Sequence, residues 1–287
     1  MIIDFHTHTF PVRISARVLE HLSDVAHISY FSDGSNRGLL ASMKRNQVDY
    51  SVLLPVMTRP DQVESLNSAM IRDRDSLLAS GLIPFGGMHP DYPHVGRELS
   101  RLKENGIPGV KLHPAYQGVD IDDPRCLNII EEASARDLII MVHAGIDIGI
   151  FDHNYASVPA ILSVLDRVGP KKLVLAHMGN WGEWDDVERD LAGAPVWLDT
   201  AFSLGPVISK YGQEKDLVYE NNMSPDQFVR IVRKHGADRV LFATDFPWAD
   251  QAAYTHYITH FPLTDSEKEG ILSCNAVKLL NLPDLIR

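Results

Sequence analysis

The sequence has few cysteines and no long apolar run, and these two features exclude disulfide-rich and membrane-spanning classes of protein. Cys126 and Cys274 are the two cysteines among 287 residues, and each lies among aliphatic residues of a predicted helix. We therefore expect reduced core cysteines rather than a disulfide or a zinc pair. No stretch reaches the roughly 18 apolar residues of a membrane span, and the N-terminus lacks the basic segment of a signal peptide. These shortages predict a cytoplasmic protein without a membrane partner.

Basic residues are also scarce. Lysine and arginine number 27 against 38 aspartate and glutamate residues, which gives a net charge of −11. Because phosphate backbones and anionic lipids attract basic surfaces, nucleic acid is not an expected partner, and a small molecule is the expected substrate. No glycine-rich phosphate loop follows any predicted strand, which disfavours a nucleotide-binding protein.

What the sequence does contain is a regular alternation of predicted strands and helices. Eight short apolar segments are predicted as strands: 2–5, 48–54, 82–88, 109–113, 138–143, 172–177, 196–199 and 240–245. Strand–helix alternation predicts a parallel sheet, and eight units of about 30–40 residues fit a closed (β/α)₈ TIM barrel. An open doubly wound sheet is the alternative. No composition shift or linker interrupts the pattern, so we predict one α/β domain over residues 1–287, with a long loop at 200–223.

The first ten residues, MIIDFHTHTF, place two histidines at the end of the first predicted strand. Side chains at positions i and i+2 of a strand point to the same side, so His6 and His8 present two imidazoles to one point. Neutral imidazole is the commonest protein ligand of transition metals. With 13 histidines in the chain, chance alone produces about half an H-x-H pair. The position of the pair is therefore more informative than its spacing.

Other histidines also fall at the ends of predicted strands. Six of the 13 do so: His6, His8, His89, His113, His143 and His177. Asp245 ends the last predicted strand. Active sites of (β/α)₈ barrels lie at the C-terminal ends of the strands, so these side chains are predicted to share one site.

A catalytic metal site needs three or four nitrogen and oxygen ligands and one open position. His6, His8, His143 and Asp245 meet that need, and they predict one divalent ion, zinc or alternatively manganese, without a second metal. Asp245 is also predicted to take a proton from water, because a carboxylate has a second oxygen available. His177 is predicted to polarise a substrate carbonyl or to shuttle a proton.

Five further residues are predicted to contact substrate. Lys111 shares one strand face with His113, and it could bind a substrate carboxylate, become carboxylated and bridge a second metal, or form a buried ion pair. His113 precedes a proline and could instead only orient the loop. Arg59 follows the second predicted strand, His153 follows the fifth, and Trp181 follows the sixth as an aromatic wall of the pocket.

Together these segments resemble the amidohydrolase superfamily, in particular its amidohydrolase-related group of metal-dependent TIM-barrel enzymes. The resemblance extends over essentially the whole chain. It is carried by DFHTH at 4–8, GVKLHP at 109–114, VHAG at 142–145, AHMG at 176–179, ATDFPW at 243–248 and NAVKLLNL at 275–282. The resemblance implies metal ligands at His6, His8, His143 and Asp245, with His177 assisting catalysis.

This chain departs from the family pattern at two places, of which the first concerns the pocket wall and the second the number of metal ions. The group often has a glycine pair after the strand-six histidine, whereas this chain has Gly179-Asn180-Trp181. Binuclear relatives use a bridging lysine or glutamate near the position of Lys111, but the most similar group usually holds one metal. Members of the family often pair, so a homodimer is an expectation from the resemblance alone.

Three functions follow from this sequence. The first is hydrolysis of a small ester, lactone or amide by a metal-activated water, with Asp245 as base. The second is non-oxidative decarboxylation of an unsaturated or aromatic acid, which uses the same ligands. A decarboxylase also needs cations for the substrate carboxylate, and Arg59 is the one arginine that sequence position places near the mouth. With so few candidate cations, the sequence favours the hydrolase. The third is a binding module without catalysis, which the intact ligand set disfavours.

Overall fold

The strands of the molecule are short, parallel and close to their predicted positions. The computed structural model describes residues 1–211 and 223–285. Within these residues the strands are β1 (Ile3–Thr7), β2 (Tyr50–Leu53), β3 (Leu82–Pro84), β4 (Gly86–Gly87), β5 (Gly109–Leu112), β6 (Ile139–Val142), β7 (Leu173–Leu175), β8 (Trp197–Asp199) and β9 (Val240–Leu241). The third predicted strand is split at Phe85 into β3 and β4. The last predicted strand ends at Leu241, so Asp245 lies in the following loop.

Hydrogen bonds join the strands in chain order. One parallel sheet has the order β1-β2-β3, and a second runs from β4 to β9. The backbone N–H of Phe5 in β1 donates to the carbonyl of Phe242 just after β9, and Asp245 donates to the carbonyl of His6. The first and last strands are therefore neighbours, in the (β/α)₈ barrel that the alternation predicts.

Helices follow the strands and cover them. The α-helices are α1 (Val12–Ala26), α2 (Asn36–Asn46), α3 (Val63–Ala79), α4 (Val95–Glu104), α5 (Pro114–Gln117), α6 (Pro124–Ala135), α7 (Val158–Arg167), α8 (Trp184–Asp186), α9 (Pro225–His235), α10 (Gln251–His260), α11 (Asp265–Glu269), α12 (Asn275–Leu280) and α13 (Leu282–Leu285). Residues 212–222 of the predicted 200–223 loop lie outside the described residues. None of the helices described is long and apolar enough to cross a membrane.

The two faces of the strands pack into two different apolar clusters. In β6, Ile139 and Met141 belong to an inner cluster with Phe5 and Leu241. The alternate residues of the strand, such as Ile140, pack outward against the helices. This alternation is the period-2 pattern of a strand buried on both faces. Both cysteines are free; Cys126 is buried as expected, but Cys274 is exposed rather than a core residue.

A buried polar network connects β1 with the loop that carries Asp245. The Asp4 carboxylate accepts hydrogen bonds from Thr244 Oγ1 at 2.6 Å and from Gln251 Nε2 at 2.9 Å. Burial raises the pKa of Asp4 to about 7, against the lowering effect of these hydrogen bonds. Asp4 lies two residues before His6 and Thr244 one residue before Asp245, so this network fixes both sides of the site together.

Candidate metal centre

His6, His8 and Asp245 converge at the C-terminal end of β1. His6 Nε2 lies 3.1 Å from His8 Nε2. Asp245 Oδ1 lies 3.4 Å from His6 Nε2 and 3.1 Å from His8 Nε2. Ligand atoms that surround one ion at about 2.0–2.2 Å are separated by such distances. The strand pattern that placed the two histidines side by side therefore brings them to the predicted carboxylate.

The hydrogen bonds of the two imidazoles show which nitrogen faces the site. His6 Nδ1 donates to Asp199 Oδ2 at 2.9 Å, and His8 Nδ1 donates to the carbonyl of Leu54 at 2.8 Å. In the neutral rings both Nε2 atoms then carry lone pairs. Two lone pairs and a carboxylate oxygen meet at one point, which is the donor arrangement of a cation site. The donor set fits a divalent metal ion.

Charge and burial around His6 and Asp245 favour the protonation states in which these side chains bind a metal ion. Burial, and then the charge of Lys111, lowers the pKa of His6 well below its ordinary value. Burial alone would raise the pKa of Asp245, but the adjacent His6 and His8 outweigh it and hold the pKa below the ordinary range. His6 is therefore neutral and Asp245 ionised at neutral pH, as metal ligands must be.

The two residues predicted to act in catalysis have unusual backbone conformations. Asp245 has φ of 67° and His177 has φ of 59°, and both lie in the left-handed region that non-glycine residues rarely adopt. Such conformations persist where the surrounding structure enforces them, and they concentrate at functional sites. Here the Asp245 N–H donates to the His6 carbonyl, while the His177 N–H donates to Asp199 Oδ1 at 2.8 Å.

The structure places His143 in a second cluster rather than beside His6 and His8. His143 Nδ1 lies 2.9 Å from His177 Nε2. Its Nε2 faces Asp147 Oδ2 at 3.7 Å, and the His113 ring stacks on it with centroids 4.2 Å apart. His177 lies between the two clusters, with its ring centroid 5.4 Å from that of His6. The role of His143 as a fourth ligand stays a prediction.

Lys111 is buried beside the first cluster. Its side chain is 1% exposed, and Nζ lies 3.3 Å from His6 Nε2. Burial lowers the pKa of Lys111 to about 8, partly offset by Asp199 and Asp245. Of the three predicted roles, the structure disfavours the buried ion pair, since no carboxylate of the described residues forms a salt bridge with Lys111.

A cavity of about 960 Å³ opens above these residues. Trp181, Phe202, Trp248, Ile146 and Ile148 give it apolar walls. Its lining also contains the following predicted site residues: His6, His8, Lys111, His113, His143, His177, Trp181 and Asp245. Enclosed apolar walls around a few polar groups are typical of small-molecule sites.

Two of the residues predicted to contact substrate lie outside this cavity lining. Arg59 is exposed, and its guanidinium is bound by Asp61 at 3.0 Å. His153 is also exposed and lies 2.6 Å from Asp120. Both residues follow strand ends in the sequence, but a nearby carboxylate holds each of them at the surface.

Sequence reasoning missed four residues that shape the site. Asp199 ends β8 and orients His6, and Asp147 follows His143 by four residues and faces it. Arg13 and Arg37 line the cavity from the starts of α1 and α2. The position of Asp199 at the end of a predicted strand could have identified it as a site residue. Nothing in the local sequence indicated that α1 and α2 border the cavity.

Fold and site together define a metal-binding (β/α)₈-barrel enzyme. The amidohydrolase family model matches residues 78–282, and the chain belongs to this family. The match includes His143, His177 and Asp245, whereas His6 and His8 precede it.

Solved structures agree with this assignment at the level of the fold. An uncharacterised TIM-barrel protein from Bordetella bronchiseptica has a TM-score of 0.72 at 17% identity, with 100% of this chain and 99% of that chain covered. A dihydroxybenzoic acid decarboxylase from Polaromonas, solved with manganese and an inhibitor, has a TM-score of 0.71 at 15% identity, with 98% and 97% covered. The 5-carboxyvanillate decarboxylase from Sphingomonas paucimobilis has a TM-score of 0.70 at 15% identity, with 98% of each chain covered.

A match to curated sequences is confined to a short segment. The 2,3-bisphosphoglycerate-independent phosphoglycerate mutase of Staphylococcus saprophyticus is 35% identical over 74 residues, which are 25% of this chain and 15% of the mutase. So short a match carries no conclusion about activity.

Proposed function

We propose that this enzyme catalyses the metal-dependent, non-oxidative decarboxylation of an unsaturated or aromatic carboxylic acid. The observation that carries the proposal is the presence of arginines in the lining of the cavity above the metal centre. Arg13 and Arg37 are two of them, and a third, Arg72, is bound by the Asp73 carboxylate at 2.7 Å. A cation at the mouth attracts a carboxylate, and guanidinium groups match its geometry. The sequence favoured a hydrolase because it offered only Arg59, so Arg13 and Arg37 reverse that preference.

Two further observations support a carboxylic acid with an apolar body. The walls formed by Trp181, Phe202 and Trp248 suit a planar unsaturated or aromatic group. Solved structures of the same fold include decarboxylases of 5-carboxyvanillate and of dihydroxybenzoic acid, two aromatic acids.

In this proposal His6, His8 and Asp245 hold the ion. A bound divalent ion supplies positive charge that attracts substrate oxygens and draws electrons from the reacting carbon. Decarboxylation breaks the carbon–carboxylate bond, leaves the electron pair on that carbon and releases CO₂, so the carbon must receive a proton. Asp245 and His177 border the cavity, and each has a pKa below its ordinary value. Either residue would therefore take a proton from water or substrate first and then pass it to the carbon.

Hydrolysis is the second candidate, and the charge state of Asp245 favours it. A carboxylate kept ionised by its surroundings can accept a proton from a water that attacks a carbonyl carbon. The His177 ring is buried and lines the cavity, and because its Nδ1 donates to the Ala201 carbonyl, the Nε2 of the neutral ring can accept a proton. Hydrolysis and decarboxylation use the same side chains and differ in the bond that breaks.

Isotope labelling separates the two reactions. The enzyme, loaded with zinc or manganese, is incubated with a panel of hydroxybenzoates, unsaturated dicarboxylic acids and lactones. We expect CO₂ release from an acid, with one deuterium on the product carbon in D₂O. Incorporation of ¹⁸O from labelled water into a product carboxylate, without CO₂ release, would contradict the proposal and establish hydrolysis.

A further inference from the structure

Helix α1 crosses the C-terminal end of the barrel, above the metal centre. It starts shortly after β1, and its last turn reaches loops on the far side. Val25 Cγ1 lies 3.3 Å from the position that a Cβ of Gly149 would take, in the loop after β6. Ile28 pairs with Ser209, in the segment after β8, through an isolated β-bridge. Because β3 and β4 form one strand of the barrel, β6 is the fifth of eight and lies opposite β1.

One side of α1 lines the cavity with aliphatic side chains. Ile14, Val18 and Leu22 all belong to the lining. They are spaced by four residues, which places them in a row along one side of a helix. We call this row the α1 stripe. At about 1.5 Å of rise per residue, the stripe is about 12 Å long, which is longer than a single aromatic ring.

The α1 stripe does not attach the helix to the rest of the molecule. Leu19, on the adjacent side of α1, does so: it is 1% exposed, and its Cδ1 lies 2.8 Å from the Cβ position of Gly34. Ile14, Val18 and Leu22 are half-buried. Among the described residues they neither belong to the apolar core clusters nor pack against them. A surface helix normally buries its apolar side against the core, whereas this stripe faces the interior of the cavity.

Backbone hydrogen bonds at both ends of α1 hold the helix in this position. Before the helix, the Phe10 N–H donates to the Gly34 carbonyl at 2.7 Å, and after it the Ser29 N–H donates to the Ile208 carbonyl at 2.8 Å. With both ends fixed, the stripe stays apart from the metal centre, and the cavity keeps its volume of about 960 Å³. Pockets of about 300–1,000 Å³ hold drug-sized ligands. An acid with a single ring would leave much of this space unfilled.

We propose that the α1 stripe binds an extended apolar substituent of the substrate acid, an alkyl chain or a second ring. The stripe lines the same cavity as His6 and His8, so the end of a ligand that points away from the metal centre can reach it. A charged extension does not suit the stripe, because aliphatic side chains cannot replace the hydrogen bonds that a charged group makes with water. The inference rests on the proposed function for the acid group, and it adds that the acid is long.

A series of saturated straight-chain acids tests the inference by binding alone. Titration calorimetry gives the dissociation constants of butanoate, hexanoate and octanoate for the zinc-loaded protein. These acids are unreactive probes, because they have no double bond that could take up the electron pair of a broken carbon–carboxylate bond. We expect one octanoate per chain and an affinity that rises about fourfold for each added methylene. Equal binding, or no binding, of butanoate and octanoate overturns the inference.

Two substitutions place a larger side chain in the space below the stripe. In Val18→Phe and in Leu22→Phe, octanoate should bind at least about tenfold more weakly than in the wild type, because two or more methylenes lose their contacts. Butanoate affinity and zinc content should stay unchanged, which also shows that the variants are folded. Val25→Phe is the matched control, since Val25 lies on the same helix, is 48% exposed and is outside the cavity lining.

Three further results would overturn the ligand site. The first is full octanoate affinity in both variants, and the second is more than one octanoate bound per chain. The third comes from sedimentation velocity: a wild-type dimer that Val18→Phe dissociates would assign the stripe to a second copy of the chain. The proposed reaction is tested separately, because incorporation of ¹⁸O without CO₂ release would identify a hydrolase that still binds long acids.

Discussion

At the scale of single residues, Asp199 determines how His6 can act. Its Oδ2 accepts the Nδ1 proton of His6, which leaves the Nε2 lone pair directed at His8 and Asp245. Its Oδ1 accepts backbone N–H groups of His177 at 2.8 Å and Ala201 at 3.0 Å. One buried carboxylate therefore orients a predicted ligand and the turn that carries His177. Partners of this kind behind a metal ligand are part of the site.

Asp199→Asn is expected to weaken metal binding while the fold is kept. The amide can still accept the two backbone N–H groups through its oxygen, but its NH₂ group cannot accept the His6 proton. His6 then loses its fixed tautomer, and affinity for zinc should fall by about 10- to 100-fold in a competition titration with a chelating dye. Asp49→Asn, which alters an exposed aspartate bonded to the Ile2 N–H, is the control. Equal affinity of Asp199→Asn and wild type would contradict this role.

Sequence pattern alone predicts some of these residues and not others. His6 and His8 follow from the period of a strand, and His177 and Asp245 from their places at the ends of parallel strands. The orientation of the His143 ring does not follow, because it depends on Asp147 and on the hydrogen bond to His177. Arg59 was misplaced for a related reason, since Asp61 holds its guanidinium at the surface.

At the scale of elements, the loop after β6 approaches the loop after β7 very closely. Gly145 has φ of 96°, and it pairs with Trp181 in an isolated β-bridge. A Cβ at Gly145 would lie 2.0 Å from the backbone nitrogen of Trp181. The glycine of the VHAG segment therefore permits the contact that holds one wall of the cavity in place. Local pattern marks such a glycine as a turn but does not indicate which loop it meets.

Gly145→Ala is expected to destabilise the protein by more than about 3 kcal/mol, because two backbone segments must separate. Gly118→Ala is the matched control, since Gly118 also has positive φ, at 63°, but a Cβ there meets nothing within 4 Å. It should cost only the conformational penalty of about 1–2 kcal/mol. Urea unfolding followed by circular dichroism measures both, and equal losses in the two variants would exclude the proposed contact.

At the scale of the whole molecule, a net charge of −11 surrounds a cavity whose mouth carries arginines. Helices α1 and α2 lie between β1 and β2 in the chain, and both contribute residues to the cavity lining. Arginine side chains in the lining of a cavity on an acidic protein can attract anionic substrates to it. The strand and helix pattern predicts the barrel from sequence, but not how these two helices pack, because the packing depends on distant contacts such as the Ile28–Ser209 bridge.

Replacing both Arg13 and Arg37 by alanine should weaken the binding of benzoate by about tenfold, since each exposed ion pair contributes up to about 1 kcal/mol. The effect should shrink as salt is raised, because salt screens exposed charges. Arg17→Ala removes an exposed arginine of α1 outside the cavity lining and is the control. Titration at low and high salt checks the result, and an unchanged affinity in the double variant would remove the main support for a carboxylic acid substrate.

The central claim is that His6, His8 and Asp245 hold one divalent ion, and metal content per chain tests it most directly. Elemental analysis of freshly purified protein is predicted to find about one ion per chain in the wild type. That ion should be lost in His6→Ala/His8→Ala and kept in His256→Ala/His260→Ala, which removes an exposed histidine pair of α10. No metal in the wild type after incubation with zinc or manganese, or equal metal in all three proteins, would contradict the claim.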